Sequence, residues 1–394
     1  MRPLLLALTV LLVACGTRTN PGAADASTDV LSGDSHTTPD GRPARDGRPH
    51  DHLVLLDSRT TDTRPPDFWW WPDDLSPTDA VGPACKQPKA PSGSAVGPKG
   101  KADILFVVDS SVGLYNMQQT LITSVGSLDS ALGSAADYRV GVITTDLGAF
   151  PYSAPSCTGC GDDGELQSQP FLSSCLAPAS AYLQNSKGVT SYSGTLSNAF
   201  KCLASVGTNG CGFEQPLQSA AVFLTNPQSF LRADASLVLV ILTNEDDCSA
   251  KNPVLYDPNA TSLGPLNSFR CFQHGITCDI NDPTKPGPRT NCKPATSGLL
   301  QDVTYYASLF KALKPAGRVG LVVVAGPAAP VSVSFQGGMS TLSPSCQSTL
   351  GTAAPAIRLQ ALVDLFGASG KLHSACASTY GPAMLDVASL VQSL

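Results

Sequence analysis

The chain has 394 residues, of which 42% are hydrophobic and 14% are charged, so it can bury a sizeable core and is not a disordered protein as a whole. Its net charge of −6 excludes a nucleic-acid-binding protein that neutralises phosphates, because such a protein needs a basic face. The 13 Cys and 5 His are a balance typical of secreted proteins.

The first residues predict export from the cytoplasm. Arg2 precedes an apolar run over residues 4–13, and Ala14 and Cys15 follow. A basic residue before a short apolar run is typical of a secretory signal peptide, and the run is too short for a membrane-spanning helix. We therefore predict that residues 1–14 are a signal peptide.

The residues Leu12-Val13-Ala14-Cys15 resemble the lipobox of bacterial lipoproteins. The resemblance implies cleavage before Cys15 and attachment of diacylglycerol to its sulfur and of an acyl chain to its amine. At about 0.8 kcal/mol per buried CH₂, two or three long chains hold a protein on a membrane almost irreversibly. Gly16, where an Asp would indicate inner-membrane retention, favours the outer membrane of a bacterial cell envelope. The alternative is an ordinary signal peptide with a chance Cys.

Residues 15–100 form a predicted tether. They are rich in Pro, Asp, Ser, Thr and Gly, so they cannot bury enough apolar surface to offset chain entropy, and we expect disorder. Residues 68–72 contain all three Trp. These aromatic rings are either an anchor for a membrane interface, glycan or partner, or a plug that docks on the folded domain. Cys85 is a candidate for a disulfide that joins the tether to the domain.

The rest of the chain, residues 101–394, alternates between apolar strands and helices. Strands that are apolar throughout and separated by helices predict a parallel sheet covered on both faces. We therefore predict one α/β domain with a doubly wound, mostly parallel sheet and two Cys-rich insertions, near 147–192 and 244–297. The predicted strands are 102–108, 138–144, 237–242 and 319–325, and the predicted helices are 114–132, 196–206, 213–224, 299–313, 356–366 and 383–394.

Ligands of such folds bind beyond the carboxyl ends of the strands. Here the first strand ends in Asp109-Ser110-Ser111-Val112-Gly113. This segment resembles the von Willebrand factor A (VWA) family, whose signature is D-x-S-x-S after the first strand, a distant Thr and an Asp after a later strand. In that family these groups bind Mg²⁺ or another divalent cation at a metal-ion-dependent adhesion site, and an acidic side chain of the partner completes the coordination. Hard cations prefer such oxygen ligands.

The family's ligands carry over only in part. Asp109 matches the leading Asp and Ser111 the first Ser, but Gly113 stands in place of the second Ser and Asn244 in place of the later Asp. Asn in place of Asp removes one negative charge from the site. At an effective dielectric constant of about 20, the attraction between two unit charges roughly 4 Å apart is about 4 kcal/mol before desolvation is counted. Thr208 is the candidate for the distant Thr by its order in the chain. The resemblance thus implies a degenerate site for Mg²⁺ or another divalent cation.

Structural roles for the same residues stay open. Asp109 is also a suitable N-cap for the helix that follows it. Glu245, Asp246 and Asp247 follow Asn244 directly, and they could either supply the missing charge or form a solvated loop.

Further segments resemble a subgroup of bacterial VWA lipoproteins that carry Cys-rich insertions. The likeness covers almost all of residues 102–394, and it implies fold and cellular address more strongly than biochemical role. The segments are DILFVVD, DYRVGVITTD, GTNGCGFEQPLQSA, FLRADASLVLVILTNEDDCSA, PSC and CASTYGPAM.

The chain has 13 Cys, and if Cys15 carries lipid, the other 12 can form six disulfides in an oxidising compartment. Connectivity does not follow from sequence, but local spacing favours three pairs. These pairs are Cys202 with Cys211, Cys278 with Cys292, and Cys346 with Cys376.

No enzyme signature accompanies these features. The sequence lacks G-x-S-x-G, H-E-x-x-H and the phosphate-binding G-x-x-x-x-G-K-[ST]. Cys157-Thr-Gly-Cys160 has no second C-x-x-C or His pair, so we predict structural disulfides there. We expect a membrane-anchored binding domain for a protein or an extracellular polymer, not an enzyme. The alternatives are a metal-independent scaffold of an envelope assembly and an unrecognised extracellular hydrolase.

Overall fold

The computed structural model of the protein describes residues 85–133, 136–168, 175, 180–280, 282 and 284–394. They belong to one compact unit, Leu75–Leu394. The predicted signal peptide, Cys15, most of the predicted tether and the Trp-rich residues 68–72 lie outside the described residues. Within the described part, no helix combines the length and the apolar character that crossing a membrane requires.

Strands and helices alternate along the described chain. Its strands are β1 (Lys101–Val108), β2 (Asp137–Thr144), β3 (Leu183–Ser186), β4 (Val189–Thr190), β5 (Ser236–Leu242), β6 (Ile276–Thr277), β7 (Gly287–Arg289), β8 (Lys293–Pro294), β9 (Val319–Ala325), β10 (Val331–Gln336), β11 (Met339–Leu342), β12 (Cys346–Ser348), β13 (Gly351–Ala353) and β14 (Gly370–Ser374). Its α-helices are α1 (Tyr115–Leu132), α2 (Leu196–Ala204), α3 (Pro216–Thr225), α4 (Phe269–Gly275), α5 (Val303–Ala312), α6 (Ile357–Phe366) and α7 (Gly381–Ser393). Short 3₁₀ turns occupy Pro253–Tyr256, Thr261–Leu263 and Gly367–Ser369.

The central sheet has seven strands in the order β14-β9-β5-β1-β2-β3-β4. The five strands from β14 to β2 are parallel, and β3 and β4 add an antiparallel edge. This arrangement confirms the predicted mostly parallel sheet. The chain goes from β1 to β2 on one side and later returns to β5 on the other side of β1. The exits of β1 and β5 therefore flank the topological switch point, where open α/β sheets bind ligands.

Helices cover both faces of this sheet. Ile104, Phe106 and Val108 of β1 face a core formed with α1, α2 and α7, whereas Leu105 and Val107 face the core formed with α3, α5 and α6. Each of these side chains is fully buried. At about 1.5–3 kcal/mol per buried large apolar side chain, a strand that is apolar on both faces is stable only inside such a double layer.

The predicted helix boundaries shift where local chemistry overrides the apolar pattern. We expected α5 to begin at residue 299, but it begins at Val303, because the Asp302 side chain accepts a hydrogen bond from Thr304 N at 2.8 Å and caps the helix. The apolar pattern predicts that α3 begins at residue 213, but it begins at Pro216, because the first position of a helix tolerates a proline.

Edge strand β14 has no counterpart in the prediction. It pairs with β9 in parallel, but its sequence, GKLHS, contains no apolar run, so the hydrophobic pattern does not reveal it. Gly370 is required at its start, because a Cβ there would lie 2.4 Å from the carbonyl oxygen of Val363.

Six disulfides brace the loops. They join Cys85 to Cys160, Cys157 to Cys211, Cys175 to Cys202, Cys248 to Cys271, Cys278 to Cys292, and Cys346 to Cys376. The last two pairs agree with the prediction from local spacing. The members of the C-x-x-C motif are both disulfide-bonded, each to a distant partner.

The predicted pairing of Cys202 with Cys211 is wrong. Cys211 bonds to Cys157 because the loop after β2 folds over it: the Cys211 N–H donates to Asp146 Oδ2 at 3.1 Å. Cys202 lies on α2 and bonds instead to Cys175. Contacts between loops, not distance along the chain, therefore select these partners.

The segment before β1 lies along the domain. The Cys85–Cys160 disulfide holds its start, as the position of Cys85 led us to expect. Further along, the Ala95 N–H donates to the carbonyl oxygen of Ala233 at 3.1 Å, and the Arg318 guanidinium donates to that of Pro98 at 3.0 Å.

One buried arginine organises the second insertion. Arg270 on α4 is only 2% exposed, and its guanidinium donates to backbone carbonyls along the preceding loop. These carbonyls belong to Leu255, Asp257, Ala260, Gly264 and Pro265. The loop has little regular structure, so the guanidinium satisfies backbone acceptors that a helix or a sheet would otherwise satisfy.

We predict that Arg270→Met lowers the free energy of unfolding by at least about 3 kcal/mol, because it leaves several buried carbonyls without a donor. Urea denaturation of the disulfide-intact protein measures this. Lys251→Met, at an exposed position of the same insertion, is the control and should change stability by less than about 0.5 kcal/mol. Equal stability of both variants would show that the arginine does not hold the loop.

Candidate functional site

Asp109 lies at the switch point, directly after β1. It is fully buried, and both of its carboxylate oxygens accept hydrogen bonds: Oδ1 from Ser111 N at 2.7 Å and Oδ2 from the Thr243 hydroxyl at 2.8 Å. Burial raises the pKa of Asp109, and the hydrogen bonds from Ser111, Thr243 and the Asn244 backbone oppose that rise. The carboxylate thus shapes the turn after β1 and ties it to the exit of β5.

Asn244 and Gly113 are neighbours at the exits of β5 and β1. Gly113 has a φ of +97°, a conformation that favours glycine, and a Cβ there would lie 3.8 Å from Asn244 Nδ2. Asn244 Oδ1 is buried and has no hydrogen-bond partner among the described residues. The amide therefore presents an unused acceptor oxygen beside the Asp109 turn.

Thr208 lies in a loop beside this turn. Gln118 on α1 bridges the two, since its side-chain amide donates to the carbonyl oxygens of Asp109 at 2.9 Å and Gly207 at 2.8 Å. The Gly210 N–H donates to the Ser110 carbonyl oxygen at 2.8 Å. Thr208 itself donates no hydrogen bond to Asp109 or Ser111 in the described structure. The structure thus brings its loop to the site without engaging its hydroxyl.

A residue that we did not predict, Glu214, faces the same point. It lies in the loop before α3, is 1% exposed, and neither of its carboxylate oxygens has a hydrogen-bond partner among the described residues. Burial, followed by the charges of Glu245 and Asp109, raises its pKa well above the ordinary value, against a lowering contribution from the Ser111 hydroxyl. Its backbone carbonyl accepts from Cys248 N at 2.8 Å, which holds the loop in place.

The three acidic residues that follow Asn244 have different roles. Glu245 faces Asp109, and burial and that charge raise its pKa to about 7. Asp246 instead accepts hydrogen bonds from the N–H groups of Arg358 and Leu359 at the start of α6. Asp247 is fully buried and pairs with the Arg358 guanidinium at 3.0 Å. Only Glu245 of this run therefore contributes to the site, and the run is not a solvated loop.

The carboxyl edge thus collects oxygen atoms that lack donors. Besides Glu214 and Asn244, the hydroxyl of Thr145, which follows β2, is buried without a partner among the described residues. No group of three or more His, Cys, Asp or Glu side chains in the described chain could by itself hold a metal ion. A cation here would therefore need hydroxyl, amide or water oxygens in addition to one or two carboxylates, and such oxygens suit Mg²⁺.

The sequence around Glu214 indicates an unusual acidic residue, although Glu214 belongs to no known motif. Glu214 is the one acidic residue in CGFEQPL, between a buried Phe and the proline that begins α3. A charged residue within such an apolar stretch is either paired or functional.

Comparisons with known proteins identify no family. No family model and no curated protein matches the chain. Among solved structures, proximal thread matrix protein 1 from the mussel byssus has a TM-score of 0.32 at 11% identity, over 75% of this chain and 47% of that one. The PilB minor pilin of Streptococcus sanguinis has a TM-score of 0.31 at 10% identity, over 76% of this chain and 62% of that one. The pilus adhesin SpaC of Lactobacillus rhamnosus GG, in its open conformation, has a TM-score of 0.27 at 12% identity, over 77% of this chain and 28% of that one. This chain spans less than two thirds of each, and similarities of this size carry no argument about function.

The crowded carboxyl groups make stability depend on pH. A group whose pKa is higher in the folded than in the unfolded protein binds more protons when folded, so the free energy of unfolding falls as pH rises through that interval. For Glu245 the interval runs from its ordinary 4.5 to about 7, which is worth at most about 3 kcal/mol. For Glu214 it starts near the same ordinary value and extends upward.

We predict that the protein in chelator loses stability between about pH 5 and pH 8, and that Glu214→Gln reduces this loss, because Gln has no proton to lose. Urea denaturation at several pH values measures both. Glu165→Gln, at a surface ion pair with Lys86, is the control and should keep the original pH dependence. Parallel pH profiles for the original protein and the Glu214 variant would contradict the assignment.

Proposed function

We propose that this chain is a VWA-type binding protein of the bacterial cell envelope, which holds a protein or an extracellular polymer at the carboxyl edge of its sheet with the help of a divalent cation. One observation carries the proposal: Glu214 is buried in the field of the Glu245 and Asp109 charges, and no cationic side chain among the described residues pairs with its carboxylate. Unpaired buried carboxylates are costly, and a bound cation removes that cost.

The residues present suit such a cation. Asp109, Ser111 and Asn244 supply carboxylate, hydroxyl and amide oxygens from the exits of β1 and β5. Glu214 supplies from the neighbouring loop the negative charge that Asn244 lacks, which makes it a better candidate than Thr208 for the ligand from that loop. When bound, the cation would present a Lewis-acidic position to an oxygen of the partner.

The chain's own groups prepare this binding. The hydrogen bonds from Ser111 N and Thr243 hold the Asp109 carboxylate in one orientation, so no ordering of that side chain is needed when a cation binds. Gln118 fixes the two loops relative to each other. Val112 and Tyr115, 80% and 63% exposed, extend beside the turn and offer apolar contacts to a partner.

A metal-independent scaffold is the second candidate. Gly113 removes one hydroxyl ligand of the VWA pattern, and no cluster of three strong ligands exists in the described chain. In that case the protonated carboxyl of Glu214 would be the permanent state of the site. Cation titration separates the two candidates. A hydrolase is the weakest of the three, because the sequence carries none of the hydrolase motifs G-x-S-x-G and H-E-x-x-H.

We predict that Mg²⁺ or Mn²⁺ binds the domain with a dissociation constant below about 1 mM, and that Asp109→Asn or Glu214→Gln weakens binding at least about tenfold, because each removes a charge near the ion. Isothermal titration calorimetry measures the affinity. Asp364→Asn, an exposed position on α6, is the control. The same variants, with and without chelator, should reduce capture of the partner from envelope extract in parallel. Absence of saturable binding in the original protein would leave only the scaffold.

The envelope location rests on two features. Six disulfides are typical of proteins that fold in an oxidising compartment. The lipobox-like residues before Cys15 add a lipid anchor to this proposal.

We predict that Cys15→Ala abolishes incorporation of labelled palmitate and releases the protein from the membrane fraction, because the sulfur that would carry the diacylglycerol is absent. Gly16→Asp should keep the label and shift the protein towards the inner membrane. Thr17→Ser is the control and should change neither result. Palmitate incorporation into the Cys15 variant would refute the anchor.

A further inference from the structure

A cavity of about 290 Å³ opens beside Glu245, on the partner-facing edge of the sheet. The second insertion forms one wall with Phe269 and Phe272, and the end of β11 forms another with Leu342. Its lining is thus mostly apolar, with a few polar and acidic residues. A cavity of this kind is the usual form of a ligand pocket.

Three consecutive acidic residues, 245–247, belong to this lining, but two of them already have partners. Asp246 caps α6 through the backbone N–H groups of Arg358 and Leu359, and Asp247 pairs with the Arg358 guanidinium. Glu245 has no cationic partner within the described residues. Its carboxylate accepts a hydrogen bond from the Ser268 hydroxyl, at 3.3 Å from Oε1, and its other neighbour is the carboxyl group of Glu214. Glu245 is also partly exposed, so it can be reached from the cavity.

From this arrangement we infer that the cavity binds the side chain of a lysine on the partner protein. The ammonium group would pair with Glu245 and donate a second hydrogen bond to the Ser268 oxygen, while the alkyl stem packs on Phe269, Phe272 and Leu342. Charge complementarity selects a cation, since the cavity has a carboxylate without a counter-charge. The apolar walls select one with a long hydrocarbon stem.

The geometry favours lysine over arginine. Arginine recognises a carboxylate best through two parallel hydrogen bonds to both oxygens, and here Ser268 already occupies Oε1. An ammonium is a compact charge that needs only one free carboxylate oxygen.

This inference deepens the proposed function, since the lysine belongs to the partner that docks at the same edge, but the cavity itself needs no divalent cation. The test is therefore made in chelator at pH 8, with n-butylammonium as the probe and NMR shifts of the cavity residues as the readout. We expect saturable binding in the millimolar range, at least about tenfold weaker in Glu245→Gln. Asp364→Asn, an exposed acidic position on α6, is the control.

Two further probes make the result decisive. n-Butanol, which has the same stem without the charge, should bind at least about tenfold more weakly, and n-butylguanidinium should bind no more tightly than the amine. Equal binding of butanol, or unchanged binding in the Glu245 variant, would overturn the inference. Tighter binding of the guanidinium would indicate that the cavity recognises arginine instead of lysine, and would also overturn the inference. Because chelator is present throughout, failure of divalent-cation binding would not alter these outcomes, so the two proposals fail independently.

Discussion

Carboxyl groups buried at the carboxyl edge of the sheet are the constraint on which this molecule depends. Asp109 is tolerated there because its oxygens accept hydrogen bonds from Ser111 and Thr243, which join the exits of β1 and β5. Once that charge is buried, every further acidic group nearby must find a counter-charge, bind a proton or face solvent. The acidic residues around the switch point divide among these outcomes.

Two of these residues are satisfied within the fold. Asp247 pairs with Arg358, and Asp246 accepts hydrogen bonds from the start of α6, so both serve to fix α6 against the second insertion. Glu214 and Glu245 are not satisfied in this way, and their raised pKa values express that cost. A structure that retains such groups has a local deficit of positive charge. A divalent cation and a partner's ammonium are the two sources of positive charge that we propose.

The disulfides and Arg270 allow loops with little regular structure to stand above the sheet. The Cys157–Cys211 and Cys248–Cys271 bonds flank the loop that carries Glu214. Arg270 donates hydrogen bonds to backbone carbonyls of the second insertion. Cross-links of this kind act mainly by restricting the unfolded chain, so they stabilise a loop without requiring a core of its own. Rigid loops in turn lower the entropy cost of binding a partner.

Hydrophobic patterning alone predicts the sheet, the helices that cover it and the place of Asp109 at a strand exit, because continuous apolar runs such as 237–242 are stable only when buried on both faces. It also placed Asn244 and Ser111 at the same edge, since parallel strands end together. Only the tertiary structure decided that Glu214 joins them, that Glu245 separates from Asp246 and Asp247, and that Cys211 bonds to Cys157 rather than to Cys202. These features depend on how loops from distant parts of the chain pack against one another, and hydrophobic periodicity carries no information about such contacts.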